Sequence, residues 1–282
     1  MTRLLLALFA VFVVSCKPAA PPPPPPPPPI PLDLSGALVI GASVSDGFGA
    51  LLPGQRPTGL LPIGVRLATT LGVLAEGGTP PTSIASSMFF MNPELNATRQ
   101  LAAAKEPGVP IVFALDYLFW HAYGAMPEPV RPQLFEIGLE RVASLGKPVV
   151  VCDLPDMSHA IGAMLSAAQV PQPETLAALN ARLDEWAAQH PKVVVLRLRD
   201  MVAQGMAGGT TRLGGRTFTG PSARALLTGD GLHATIDGQI VLCLEMLDAL
   251  RAAGLLPSNA VWETDPALVQ RALQERSAKG PS

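Results

Sequence analysis

Two short stretches near opposite ends of the chain carry residue types suited to nucleophilic chemistry. The first is Gly41-Ala-Ser43-Val-Ser45-Asp46-Gly47, directly after the apolar run Ala37-Leu-Val-Ile40. The second is Gly229-Asp230-Gly-Leu-His233, just ahead of a long apolar helix pattern. A serine hydroxyl is a weak nucleophile at neutral pH until a base takes its proton. An imidazole can do that, and a carboxylate on its second nitrogen fixes its tautomer and orientation. Asp230 and His233, three residues apart, can supply orienter and base from one turn, with Ser43 as nucleophile. Each residue also has a plainer role open to it. Ser43 or Ser45 could be a helix N-cap, Asp230 a turn former and His233 a surface histidine. A phosphate cradle is disfavoured at the first stretch, because Gly-x-Ser-x-Ser-x-Gly lacks the glycine spacing such loops need.

Other titratable residues stand after apolar runs further along. Asp116 and Tyr117 follow Pro110-Ile-Val-Phe-Ala-Leu115, and His121 follows Phe119-Trp120. Asp153-Leu-Pro-Asp156-Met-Ser-His159 follows Lys147-Pro-Val-Val-Val-Cys152. Two carboxylates and a histidine at such intervals raise the question of a metal. The proline spoils helical registration, and no cysteine or second histidine joins at ligand spacing, so no metal is expected. Asp153 and Asp156 are expected instead to line the mouth of a substrate cleft. His121 either joins them or belongs to a packed aromatic loop. Cys152 and Cys243 look like small buried hydrophobes, with a disulfide between them left open.

The elements that must position these residues alternate in type. Strands are expected at Ala37–Ile40, Pro110–Leu115, Lys147–Cys152 and Val193–Leu198, with a weaker one near Thr82–Ser86. Helices are expected at Ile63–Leu74, Val130–Leu145, Glu174–Gln189 and Asp237–Ala253, with a peripheral helix in the tail from Asp265. The Gly- and Thr-rich segment Gln204–Gly220 reads as a surface loop. Continuous apolar strands alternating with helices imply an α/β protein. It should be a three-layer α/β/α sandwich around a parallel sheet of about five strands, flavodoxin-like in form. Ligands in such folds bind beyond the carboxyl ends of the strands, where the residues above would lie.

A serine on the turn after the first strand, with Asp-x-x-His near the end, resembles the SGNH/GDSL hydrolase family. Gly41-Ala-Ser43 stands where that family has Gly-Asp-Ser, and Asp230-Gly-Leu-His233 matches its late block closely. The resemblance implies the SGNH fold over residues 36–253 and a Ser43–His233–Asp230 triad acting on esters through an acyl-enzyme, with no cofactor. It also implies an oxyanion hole built from the Ser43 N–H, a glycine and an asparagine. Gly78, of the pair Gly77-Gly78, is the expected glycine. Asp116 falls where the asparagine belongs, and an ionised carboxylate cannot donate to an oxyanion. Asp116 is therefore held protonated, or orients another group, or is misaligned. The alternatives to a serine esterase are an envelope acyltransferase or carbohydrate O-acetyl esterase, and a binding lipoprotein that kept the fold without turnover.

The amino terminus reads as an address. Arg3 precedes an apolar run from Leu4 to Val14. That is too short for a bilayer span of about 20 residues, and right for the core of a signal peptide. Val13-Val-Ser-Cys16 resembles the lipobox of bacterial lipoproteins, which implies lipidation of Cys16 and a membrane anchor. Lys17, rather than Asp, after that cysteine points to the outer membrane or a periplasm-facing site if the host is Gram-negative. Nine consecutive prolines, Pro21–Pro29, would form a polyproline II spacer. The expected layout is a signal peptide at 1–15, a lipidated linker at 16–35, the hydrolase domain at 36–257 and a tail at 258–282. The full chain has 282 residues and a net charge of -2. It lacks the basic face of a nucleic-acid binder, and its three cysteines make no disulfide scaffold. The expected partners are a small-molecule, glycan or lipid ester and the membrane, with the protein a monomer.

Overall fold

The computed structural model describes residues 27–57, 61–75, 80–213, 216–219 and 221–278. In chain order the strands are β1 (Ile30–Pro31), β2 (Leu38–Val39), β3 (Thr82–Ser83), β4 (Val112–Ala114), β5 (Val149–Cys152), β6 (Val193–Leu196), β7 (Thr210–Leu213), β8 (Arg216–Thr219) and β9 (Ala260–Val261). The helices are α1 (Leu67–Leu74), α2 (Pro93–Ala104), α3 (Phe119–Ala122), α4 (Arg131–Ala143), α5 (Pro173–Ala188), α6 (Leu198–Met206), α7 (Pro221–Arg224), α8 (Ile236–Ala252) and α9 (Pro266–Ala278).

Five strands pair in parallel in the order β3-β2-β4-β5-β6. The chain enters at β2, steps outward to β3, returns to β4 on the other flank of β2, and proceeds through β5 to β6. This is the flavodoxin-like strand order, with its switch point between β2 and β4. The fold class is the expected one.

The strands are short and apolar because both faces are covered. Val39, Phe113, Val150 and Val194 enter one core with α1, α8 and α9. Leu38, Val112, Val149 and Val151 enter the other, with residues of α2, α4 and α5. Adjacent residues thus alternate between two buried faces, which is why the run reads as continuously hydrophobic.

Several boundaries differ from the sequence expectation. α1 starts at Leu67 rather than Ile63, because the preceding residues pair with the serine loop. Ile63 bridges Phe48, the Gly64 N–H bonds the Gly47 carbonyl at 2.9 Å, and the Val65 N–H bonds Ala50 at 2.8 Å. α2 was not anticipated, although Asn92 caps it by accepting from the Leu95 N–H at 3.1 Å and Pro93 opens it. β6 ends at Leu196 and the chain turns at once into α6. There the Arg199 N–H is held by the distant Asp153 at 2.7 Å. The expected loop 204–220 holds the end of α6 and the antiparallel pair β7–β8.

The domain also reaches beyond 36–257. Leu32 and Leu34 are buried, and β1 pairs in parallel with β9. α9 packs on α1 and α8 and buries Val269 and Leu273, so it belongs to the core rather than the periphery. Cys152 and Cys243 are buried and carry free thiols. Cys16 and the prolines before residue 27 lie outside the described residues.

Candidate active site

The turn after β2 is held from three sides. Gln100 of α2, itself buried, reaches across to Gly41. Its amide oxygen accepts the Gly41 N–H at 2.8 Å and its amide nitrogen donates to the Gly41 carbonyl at 2.8 Å. Asp116, two residues past β4, accepts the N–H groups of Ala42 and Val44, each at 2.8 Å, and of Ser45 at 3.4 Å. It also takes the Ser45 hydroxyl at 2.6 Å. Asp46 anchors the far side by accepting the N–H and hydroxyl of Ser87 at 3.0 and 2.8 Å. Gly41 has φ +135°, and a Cβ there would fall onto the Asp116 carboxylate. Only glycine meets both demands.

This binding leaves one donor over. The N–H groups of Gly41, Ala42, Val44 and Ser45 all have acceptors, whereas that of Ser43 has none among the described residues. Ser43 is half-buried, and its hydroxyl lies 2.9 Å from His233 Nε2.

His233 is buried and stacked on Phe48, with ring centroids 4.1 Å apart. Its Nδ1 lies 2.8 Å from Asp230 Oδ2. The other Asp230 oxygen accepts the Leu232 and His233 N–H groups at 2.8 and 3.0 Å and the Thr228 hydroxyl at 2.5 Å. Burial raises the pKa of this carboxyl. The donations from His233, Thr228 and the two backbone N–H groups outweigh it and hold Asp230 well below the usual carboxylate range. Asp230 is therefore ionised at any physiological pH. His159 supports the same loop from outside, with Nε2 2.6 Å from the Gly231 carbonyl.

Of the other expected residues, Gly78 lies outside the described residues. The chain that reaches the serine turn after β3 is Ser86-Ser87, and the Ser86 N–H bonds the Gly41 carbonyl at 3.1 Å. Asp116 is beside Ser43 but is no oxyanion donor, since both its oxygens accept from the turn. Of the three options the sequence left for it, the geometry is that of an orienting group. Burial raises its pKa, against the donations from Ser45, Ala42 and Val44.

Asp153 does line the cleft, while one of its oxygens caps α6 through the Arg199 N–H. Asp156 is exposed, accepts from Ser158 two residues on, and lines a neighbouring groove instead. His121 does not line the cleft; it takes the other expected place, packed among aromatic rings. It is buried between α3 and α4, its Nδ1 3.1 Å from the Tyr117 carbonyl and its ring 5.2 Å from that of Tyr117. Burial and the neighbouring Arg141 bring its pKa down to about 4. The aromatic pair before it, Phe119 and Trp120, faces the cleft. Among the described residues no group of three His, Cys, Asp or Glu side chains is placed to hold a metal.

Gln100, Phe48 and Ser87 were missed by sequence reasoning. None has a local signature, since each acts through a partner on another element.

The cleft opens beside Ser43 and is continuous with solvent; the cavity within it is about 50 Å³. Its walls are chiefly apolar: Leu115, Phe119, Trp120, Leu154, Met157 and Leu232.

No protein-family model matches the chain, and no curated protein matches it. Among solved structures it is similar to TesA, with 16% identity over 77% of this chain and 98% of that one, at a TM-score of 0.42. It is also similar to Axe2, an acetylxylan esterase from Geobacillus stearothermophilus. That match has 14% identity over 80% of this chain and 97% of the other, at a TM-score of 0.46. At these values no residue role passes from either protein to this chain.

Proposed function

We propose that the protein is an SGNH-type serine hydrolase that cleaves carboxylic esters. The observation that carries this reading is the unbroken relay from Asp230 through His233 to Ser43, with contacts of 2.8 and 2.9 Å. It stands at the switch point of the sheet, beside an apolar cleft.

In the proposed reaction His233 Nε2 takes the Ser43 proton as Oγ attacks the ester carbonyl carbon. The carbonyl π electrons move to oxygen, and the Ser43 N–H, which has no acceptor within the described protein, donates to that oxyanion. The tetrahedral adduct collapses, the C–O bond to the alcohol breaks, and the alkoxide leaves with the proton held by His233. Water then attacks the acyl-enzyme, giving its proton to His233. Collapse frees the acid and returns the proton to Ser43. Asp230, ionised throughout, holds the imidazole in the required tautomer and stabilises its charged form. The residues present need no cofactor for these steps.

Labelling with a fluorophosphonate probe, read by peptide mass, tests the assignment. The expected adduct is on Ser43, absent in Ser43→Ala and weak in His233→Ala. An adduct on Ser45 would move the nucleophile. No adduct on folded protein would favour the binding-protein reading.

The same proposal includes export and anchoring through a lipid on Cys16. What supports it is the sequence of residues 1–29 alone. Metabolic labelling with a radiolabelled fatty acid should mark the protein in a bacterial host, and Cys16→Ala should abolish the mark. An unmarked but secreted protein would leave an ordinary signal peptide.

A further inference from the structure

We propose that the ester taken by this site carries a long apolar acyl chain, which runs from Ser43 through the cleft and out over an exposed apolar apron formed by Phe90, Met91 and Leu95. The inference rests on the hydrolase reading above and names its substrate class.

The cleft argues first. Its wall is mostly carbon, from Leu115, Phe119, Trp120, Leu154, Met157 and Leu232, and a chain that follows it gains contacts an acetyl group does not make. Asp116 is engaged with the serine turn; Asp153 accepts the Arg199 N–H through Oδ1, while its buried Oδ2 has no hydrogen bond and lies 3.4 Å from the Arg199 guanidinium. What the walls present is carbon surface, the partner for a hydrocarbon chain.

The second observation lies outside the cleft. The segment between β3 and α2 and the first turn of α2 expose Met88 (43%), Phe90 (47%), Met91 (67%) and Leu95 (63%). Single exposed apolar residues are ordinary, but four within one short stretch form a patch that marks a contact surface. The patch continues the cleft, because the Phe90 ring lies 5.7 Å from that of Trp120, which forms part of the cleft wall. The polar groups within the patch are occupied. Glu94 pairs with Arg141, and the Asn96 amide donates to the Phe89 and Asn92 carbonyls. The loop after β5, which supplies Met157 to the wall, likewise exposes Ile161 and Met164. Both loops leave the carboxyl ends of parallel strands, the end of the sheet that carries Ser43.

The test is kcat/KM for p-nitrophenyl acetate, butyrate, octanoate and decanoate, each kept monomeric. The wild-type protein should gain with length, by up to roughly fourfold per methylene buried. The triple variant Phe90→Ser, Met91→Ser, Leu95→Ser should lose about tenfold or more on decanoate, mainly in KM, and less than about twofold on butyrate. Turnover of acetate or butyrate with a flat or falling series would overturn the inference and leave the hydrolase reading standing. An equal loss on every ester would also overturn it. No turnover of any ester, with Ser43 unlabelled by the fluorophosphonate, would overturn the hydrolase reading itself.

Discussion

Asp116 binds the serine turn as an acceptor, and that role makes a directional prediction. In Asp116→Asn an amide NH₂ must replace one accepting oxygen. Because the Ala42 and Val44 N–H groups approach different oxygens, one of them then faces a donor. Asp116→Asn should therefore lower kcat, by roughly tenfold or more, and cost about 1–3 kcal/mol of stability. Ester kinetics and urea unfolding measure the two effects. A faster Asn variant would mean that the site lacks a side-chain oxyanion donor and that Asp116 is its defective substitute. The Gly41→Ala change should be harsher, since it adds a Cβ where the Asp116 carboxylate sits and strains a φ of +135°. It should abolish fluorophosphonate labelling even where the protein folds. At this scale the spacing of Ser43, Asp230 and His233 was legible because residue type and loop position together imply a proton relay. The direction in which Asp116 points was not, because its partners are backbone N–H groups more than 70 positions away.

Among the elements, the α3–α4 contact carries a pH-sensitive load. His121 sits in it as a neutral imidazole whose pKa has dropped to about 4, chiefly through burial. An unfolded histidine takes up its proton near pH 6.5. Between those values the unfolded chain binds more protons, so stability is complete above about pH 6.5 and declines as pH falls toward 4. The loss is on the order of 3 kcal/mol. Unfolding midpoints measured across that range should show the slope, and His121→Phe should remove most of it. Sequence alone placed His121 at the cleft or in an aromatic loop. The choice depended on which way a single helical turn faces, which α4 decides by packing Gly138 against the ring. α6 was hidden for a related reason: its first turn is held by Asp153, far away in sequence. α2 was different. Its capping residues, Asn92 and Pro93, stood in plain view, and the apolar surface left on its outer side blurred the periodicity.

Across the whole molecule, the alternation of apolar strands and helices was enough to reach the architecture, because a parallel sheet buried on both faces leaves few other solutions. The limits of the domain were less legible. Residues 30–34 are short and proline-flanked, and β9 has only two residues, so neither carries a period of its own. Their packing predicts that the tail is structural. Leu273→Ala, at a position 2% exposed, should cost about 2–5 kcal/mol by urea unfolding, as core truncations do. The thiols of Cys152 and Cys243 are free, so a reductant should leave the melting temperature unchanged.

The pairing of β1 with β9 sets an order in time. Asn259 donates to the Pro28 carbonyl across 231 positions of sequence, and the core is not full until Val269 and Leu273 arrive. Synthesis delivers the amino end first, so the nascent chain must wait for its last helix before it can close. A chain stalled on the ribosome at Pro257 should accordingly be cut by protease under conditions the finished protein survives. Such a delay keeps the polypeptide in a threadable form while it is being made, the form that the export proposed above would require.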